Sequence, residues 1–304
     1  MSEFHEFPGR NGFFQTINAE NENTIDVMFV GDSSAQNAII PVQIWKEQKI
    51  TSYVLSYSMM KPQEAYFDLK KTFEKQSPKV VFLEASFLVT NTSENFDYFT
   101  ENVHDNVDYI GDQISGEINY YLPISKYKSE WKNRTISDFI NSHSYKINNV
   151  FKGYIYSNDT IPVPEDFEQN LDGLVKFKYS GDKYFKKILD LCNKNNSKLI
   201  LFNVPHATSW NIEKHNFVSD LVHDDNVEYI DYHCQMEEYI PNFSWKTDTK
   251  DAGAHLNYSG ACKLSNVIGN YLSNNLHMEI SYLTSQETDK WDNDANSFYR
   301  RIKK

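Results

Sequence analysis

Residues 25–40 read IDVMFVGDSSAQNAII, an apolar run that passes straight into a helical segment. Apolar, strand-favouring residues run up to Gly31, and small polar residues then open a segment of helical character. A buried strand that stops at a glycine and turns directly into a helix is the repeating unit of parallel α/β sheets. Asp32 or Ser34 suits the helix N-cap, because a short side-chain oxygen can accept from first-turn N–H groups that lack partners. Ser33 then stands just past the carboxyl end of a strand, where open parallel sheets bind their ligands. Alone, GDSS supports a capped turn as readily as a nucleophile.

Four further apolar runs follow: TSYVLSY (51–57), KVVFLEAS (79–86), LILFNVP (199–205) and VEYIDYH (227–233). Helical patterns separate them. PQEAYFDLKKTFEKQ (62–76) begins on a proline, and YFKKILDLCNKNN (184–196) places Phe185, Ile188, Leu189 and Cys192 along one face. SGACKLSNVIGNYLSNNL (259–276) does the same with Ala261, Leu264, Val267, Ile268, Tyr271 and Leu272. Strand and helix in alternation imply a three-layer, doubly wound α/β domain with a parallel sheet of about five strands. The 304 residues fit one such domain, 1–304, with two additions. Residues 87–181, rich in Asn, Ser, Tyr and charge, form an insertion after the third strand that serves as a wall or lid. The polar end, 277–304, reads as a peripheral tail.

Bulk chemistry excludes several classes. A formal charge of −12 with scattered Lys and Arg opposes a nucleic-acid partner. No run of eighteen apolar residues occurs, so no membrane span is expected. The start, MSEFHEFPGRNGFFQ, lacks the basic and apolar parts of a signal peptide. The chain as it stands fits the cytoplasm, or the cell surface and exterior if an upstream anchor has been removed. Cys192, Cys234 and Cys262 are far apart and form no CxxC pair, so neither a metal site nor a disulfide framework is indicated. HDDNVEYIDYH (223–233) mixes His with acids, but strand alternation sends its side chains to opposite faces. Neither GxGxxG nor GxxxxGK occurs, which opposes a nucleotide-binding protein, and no cofactor is expected.

A serine hydroxyl needs a base before it attacks. KTDTKDAGAHLNYSGACKLS (246–265) places His255 in a loop after the fifth apolar run, with Asp251 four residues earlier and a helix directly after it. Such a carboxylate could hold one ring nitrogen while the other faces a serine. Asn257 or Ser259 suits the cap of that helix. Ser33 and His255 lie 222 residues apart (255 − 33) yet on the same predicted sheet edge.

FVGDSS and DAGAHLN together resemble the first and last blocks of the SGNH hydrolases, also called the GDSL esterase and lipase superfamily. The likeness is nearest to a bacterial branch whose last block reads roughly D…HLN..GA.K, and it covers residues 24–90 and 180–275. NVPH and KVVFLEAS are similar to that branch as well. The resemblance implies a flavodoxin-like sheet and a catalytic triad of Ser33 as nucleophile, His255 as general base and acid, and Asp251 as orienting carboxylate. Two departures stand out. Three residues rather than two separate Asp251 from His255, which keeps Asp248 in reserve. The Gly and Asn blocks that build the family's oxyanion hole are also missing, leaving Ser34, Ser56, Ser58, Ser86 and His206 as candidate oxyanion or substrate contacts.

The resemblance implies a serine esterase that removes or transfers O-acetyl or other acyl groups, with a small acyl ester or acetylated glycan as partner. A catalytically weak or inactive carbohydrate-binding relative is the alternative. Trp210 beside His206 could stack on a sugar or simply pack. Tyr120, Tyr121, Tyr127 and Trp131 of the insertion could line a carbohydrate cleft, and NTSENFD (91–97) and NRT (133–135) match glycosylation sequons. Oligomeric state is not legible.

Overall fold

The computed structural model describes residues 17, 19–58, 60, 62–89, 149–164, 182–223 and 225–303. Five strands build its sheet: β1 (Val27–Gly31), β2 (Ser52–Ser56), β3 (Val80–Glu84), β4 (Lys198–Asn203) and β5 (Glu228–Asp231). Their order is β2-β1-β3-β4-β5, and every neighbouring pair is parallel. Each strand coincides with one of the five apolar runs. The order reverses at β1, so the crevice beside its carboxyl end is the topological switch point.

Side-chain alternation divides the core into two layers. Val27, Phe29, Val54, Val80, Phe82, Ile200 and Phe202 face one side, while Met28, Val30, Tyr53, Leu55, Val81, Leu83 and Leu201 face the other. Phe82 anchors the first layer, with ring centroids 5.1 Å from Phe29 and 5.8 Å from Phe202. Because both faces are covered, the strands read as continuous apolar runs rather than alternating ones.

Helices α1 (Ser33–Ala38), α2 (Pro41–Gln48), α3 (Pro62–Thr72), α4 (Asp182–Lys194), α5 (Ile212–His223) and the short α6 (Met236–Tyr239) connect the strands. A two-stranded antiparallel ribbon, β6 (Thr249–Lys250) and β7 (His255–Leu256), precedes α7 (Tyr258–Asn274). The first turn of α1 sits tightly on the sheet. A Cβ on Gly31 would lie 2.6 Å from Glu84 Cβ and 3.0 Å from Ala35 Cβ, so only glycine allows this approach.

The expected peripheral tail is corrected. Ser285–Ile302 is a helix, α8, opened by a capping box between Thr284 and Glu287. Trp291, Ala295 and Phe298 recur at helix spacing, and all three are buried in the core. Trp291 lies 5.5 Å from Trp45 of α2 between ring centroids. A stripe this narrow vanishes in an average over the segment's many polar residues, although its spacing is that of a packed helix.

Lys152 joins three distant parts of the chain. Its ammonium is fully buried, 2.7 Å from Glu20 Oε1, 2.7 Å from Asp294 Oδ2 and 4.4 Å from the Trp291 ring centroid. Lys290 completes the cluster on Glu20 at 2.5 Å. Burial pushes the Glu20 carboxyl up, but the charges of Lys152 and Lys290 outweigh it and hold the group below its usual value. The backbone here seals the sheet edge: Val54 N–H donates to the Lys152 carbonyl at 2.9 Å. Gly153 follows at φ +90°, and a Cβ there would fall 2.0 Å from the Val54 oxygen. The segment then runs toward the carboxyl ends of the strands. Ile155 N–H donates to the Gln36 carbonyl of α1 at 3.0 Å, and Ile161 N–H to the Thr249 carbonyl of β6 at 3.3 Å. Thus residues 149–164 of the 87–181 interval line the ends of the site loops. Tyr120, Tyr121, Tyr127, Trp131 and both sequons lie outside the described residues.

Candidate active site

Asp32, not Ser33, caps α1. Its carboxylate accepts from Ser34 N–H at 2.7 Å, and its extended backbone (φ −96°, ψ −154°) is that of an N-cap. Ser33 is thereby the first helical residue and its side chain is released from capping. Asn37, one turn on, donates to the Ser33 carbonyl at 2.6 Å and fixes the turn from below.

The β6–β7 ribbon presents His255 to Ser33. Its Nε2 lies 2.9 Å from Ser33 Oγ, and its Nδ1 lies 3.0 Å from Asp251 Oδ2. The longer spacing to the carboxylate is absorbed by an unusual backbone. Asp251, Ala252 and Gly253 all adopt positive φ, at 53°, 53° and 87°. Two of these are non-glycine residues, each costing on the order of 1 kcal/mol in the left-handed region. This run curls the chain so that a carboxylate four residues before the histidine reaches its ring. Packing holds it there, since a Cβ on Gly253 would lie 2.5 Å from Ala207 Cβ and 2.6 Å from Val163 Cγ1.

Asp248, the reserve for the orienting role, is engaged elsewhere. It accepts from Ser244 N–H at 2.7 Å and Ser259 Oγ at 2.7 Å, and pairs with Lys263 Nζ at 2.6 Å. Asn257 caps α7 by accepting from Gly260 N–H at 3.2 Å, while its amide donates to the Thr247 carbonyl at 2.8 Å. These buried bonds lock the base of the loop that carries His255.

The other candidates divide. Ser34 is buried, and its N–H is taken by Asp32. Ser86 donates to Glu84 Oε2 at 2.7 Å. Ser56 Oγ, opposite Gly31 in the sheet, is buried without a partner among the described residues. Ser58 is exposed in the turn after β2. His206 does come to the site, its ring centroid 6.4 Å from that of His255. Trp210 is buried and donates through Nε1 to Asp231 Oδ2 at 2.8 Å, so it packs rather than offering a face for stacking.

Asp231, at the end of β5, is a hub that its sequence context concealed. Tyr229 OH at 2.9 Å joins Trp210 on one oxygen, and the N–H groups of His233 and Cys234 reach the other, each at 2.9 Å. Burial pushes its carboxyl up, yet His215 and these donors hold it well below the usual range. His215, Asp231 and Cys234 bring ligating atoms within 4.8 Å of one another, the one such trio among the described residues. The Asp231 oxygens are already filled by donors, and burial followed by the Asp231 charge pushes the Cys234 thiol up, away from thiolate. The trio therefore reads as a hydrogen-bonded brace.

His233 supports the site from that brace. His206 N–H donates to His233 Nδ1 at 3.1 Å. Burial lowers both imidazoles to about 4, with the charges of His255 and His233 adding to the effect on His206. Unfolded, each would titrate near 6.5. As pH falls, the unfolded chain takes up these protons first, so stability that is full above about 6.5 drains away toward about 4. Urea midpoints measured from pH 7 to pH 4 are expected to fall, and His233→Gln to flatten that fall. A midpoint independent of pH over this window would contradict the burial of both rings.

No family model matches the sequence, and no curated protein matches it either. Solved structures do. A candidate acylhydrolase from Bacteroides fragilis is 13% identical, with 88% of this chain and 96% of that one covered at a TM-score of 0.42. A candidate lipolytic protein of the G-D-S-L family from Desulfitobacterium hafniense is 10% identical over 82% of this chain and 99% of that one, at 0.41. A GDSL-like lipase from Bacteroides thetaiotaomicron is 12% identical over 87% and 97%, at 0.40. Among the described residues no helix is long and apolar enough to cross a membrane.

Proposed function

We propose that this chain is a serine esterase of the SGNH hydrolase type, with Ser33, His255 and Asp251 as its triad. One observation carries the reading. Two hydrogen bonds, 2.9 and 3.0 Å long, run from Ser33 Oγ through the His255 ring to Asp251, joining groups 222 residues apart. In this reading His255 takes the Ser33 proton as Oγ attacks the acyl carbonyl. Asp251 holds the tautomer that leaves Nε2 free to accept, and the imidazolium returns its proton to the leaving alcohol. An acyl-serine remains, and water activated by the same imidazole releases the acid. The backbone N–H of Ser33 is the proposed donor to the developing oxyanion.

The proposed substrate is an O-acetyl or other small acyl ester on carbohydrate. If a sugar hydroxyl enters in place of water, the same intermediate gives acyl transfer. Asp251 is half exposed, so it acts mainly by orienting the ring rather than by charge. The engagement of Ser86 by Glu84 favours a second reading, a glycan-binding protein that retains the triad geometry without turnover. A fluorophosphonate probe separates the two. Covalent addition of one probe to the peptide containing Ser33 is expected, together with release of p-nitrophenol from its acetate ester. Glycan binding without probe addition would replace the esterase reading with the binding one.

A further inference from the structure

His206 occupies the site without a role in the triad. Its Nδ1 accepts from the backbone N–H groups of Thr208 at 3.3 Å and Ser209 at 3.2 Å. A ring nitrogen that accepts cannot carry the proton, so the neutral ring holds its proton on Nε2. The backbone on either side is fixed as well. His206 N–H donates to His233 Nδ1 at 3.1 Å, and Ala207 N–H donates to the Gly253 carbonyl at 2.9 Å. The loop after β4 is therefore tied both to the Asp231 brace and to the left-handed turn that carries Asp251. Among the described residues no hydrogen bond engages His206 Nε2, and its burial keeps the ring uncharged through the neutral range. The result is a rigid donor with a defined proton and no charge.

Its position says which part of a substrate it would meet. Ser56 ends β2 and Ser86 lies just past β3, the two strands that flank β1, whereas His206 lies just past β4, one strand further out. The ring lies beside His255, the group that hands a proton to the leaving oxygen. Atoms attached to that oxygen must pass the same ring. A neutral donor there can bind a hydroxyl or ether oxygen without burying a charge.

Resting on the esterase reading above, we propose that His206 is a specificity-determining residue that donates from Nε2 to an oxygen on the alcohol half of the ester. The chemical class it selects is an alcohol with a second oxygen near the ester, a polyol or sugar. An aryl ester offers no such oxygen.

The test compares kcat/KM for a monoacetylated methyl glycoside with that for phenyl acetate in the wild type, His206→Ala and His206→Gln. The sugar-to-phenyl ratio is expected to fall about ten-fold in His206→Ala, the scale of one lost hydrogen bond, mainly through KM. His206→Gln is expected to regain part of it through its amide N–H. Should the alanine variant fail to fold, the glutamine variant carries the comparison, with a ratio below that of the wild type as the expected result. An unchanged ratio in variants that fold overturns this inference and leaves the esterase reading standing. So does a wild type that cleaves the phenyl ester but not the sugar ester. A wild type that cleaves neither and takes no fluorophosphonate at Ser33 overturns both.

Discussion

Ser33→Ala is expected to lower kcat/KM for p-nitrophenyl acetate by about 10⁴-fold or more while leaving the fold intact. The activity loss follows from chemistry. Without Oγ there is no acyl-enzyme, and only binding and oxyanion contacts remain to help water attack directly; in triad enzymes these preserve a residual ~10³–10⁴-fold over the uncatalysed rate. The retained fold follows from the position of the cap. Asp32 supplies the hydrogen bond that starts α1, and Asn37 bonds to the Ser33 carbonyl rather than to its hydroxyl. Alanine also ranks best for the helix interior. Initial rates and a thermal melt settle both halves. A variant that keeps activity within ten-fold of the wild type excludes Ser33 as the nucleophile.

The largest expected effect on stability is Lys152→Ala. Removing one member of a buried ion pair strands its partners, at a cost of about 3–5 kcal/mol. Here Glu20 is 2% exposed on its side chain and Asp294 16%, so neither can recover full hydration in place. Lys290 still reaches Glu20, which places the expected loss near the lower end, about 3 kcal/mol. The substitution also removes the cation above Trp291 and vacates the stem that fills the space between α8 and the sheet edge. Urea unfolding is the measurement, since a shift in midpoint at constant slope reads directly as stability. A loss below about 1 kcal/mol would mean that water screens the cluster, as it does for pairs at the surface.

The five strands were legible because burial on both faces writes itself as continuous apolar runs. That Ser33 and His255 meet was expected because Ser33 closely follows the first run, the His255 loop comes after the fifth, and chemistry collects at strand ends. Asp251 was ambiguous for a physical reason: spacing predicts reach only when the backbone is ordinary, and three consecutive left-handed residues change the reach. Gly253 was the available local sign. The Lys152 cluster had none, because Glu20, Lys152 and Asp294 come from three distant segments and no local pattern links them. Asp231 was hidden differently, in an acidic stretch where Asp225 and Glu228 are ordinary surface or edge residues. The helix at the end is hidden in an average of composition and shows only in the stripe of Trp291, Ala295 and Phe298.

The carbonyl of Lys152 closes the outward-facing amide of Val54 in the middle of β2, and the same residue is latched by two carboxylates. Protection of the sheet edge and satisfaction of a buried ammonium are therefore one event. A foreign strand cannot extend the sheet at β2 by peeling back a loose loop, because peeling exposes an ion pair as well as an apolar edge. Acid that neutralises Glu20, whose carboxyl the two lysines hold below its usual value, removes one arm of the latch. Edge-to-edge association, the first step toward fibrils, is thereby coupled to protonation instead of to ordinary thermal fraying.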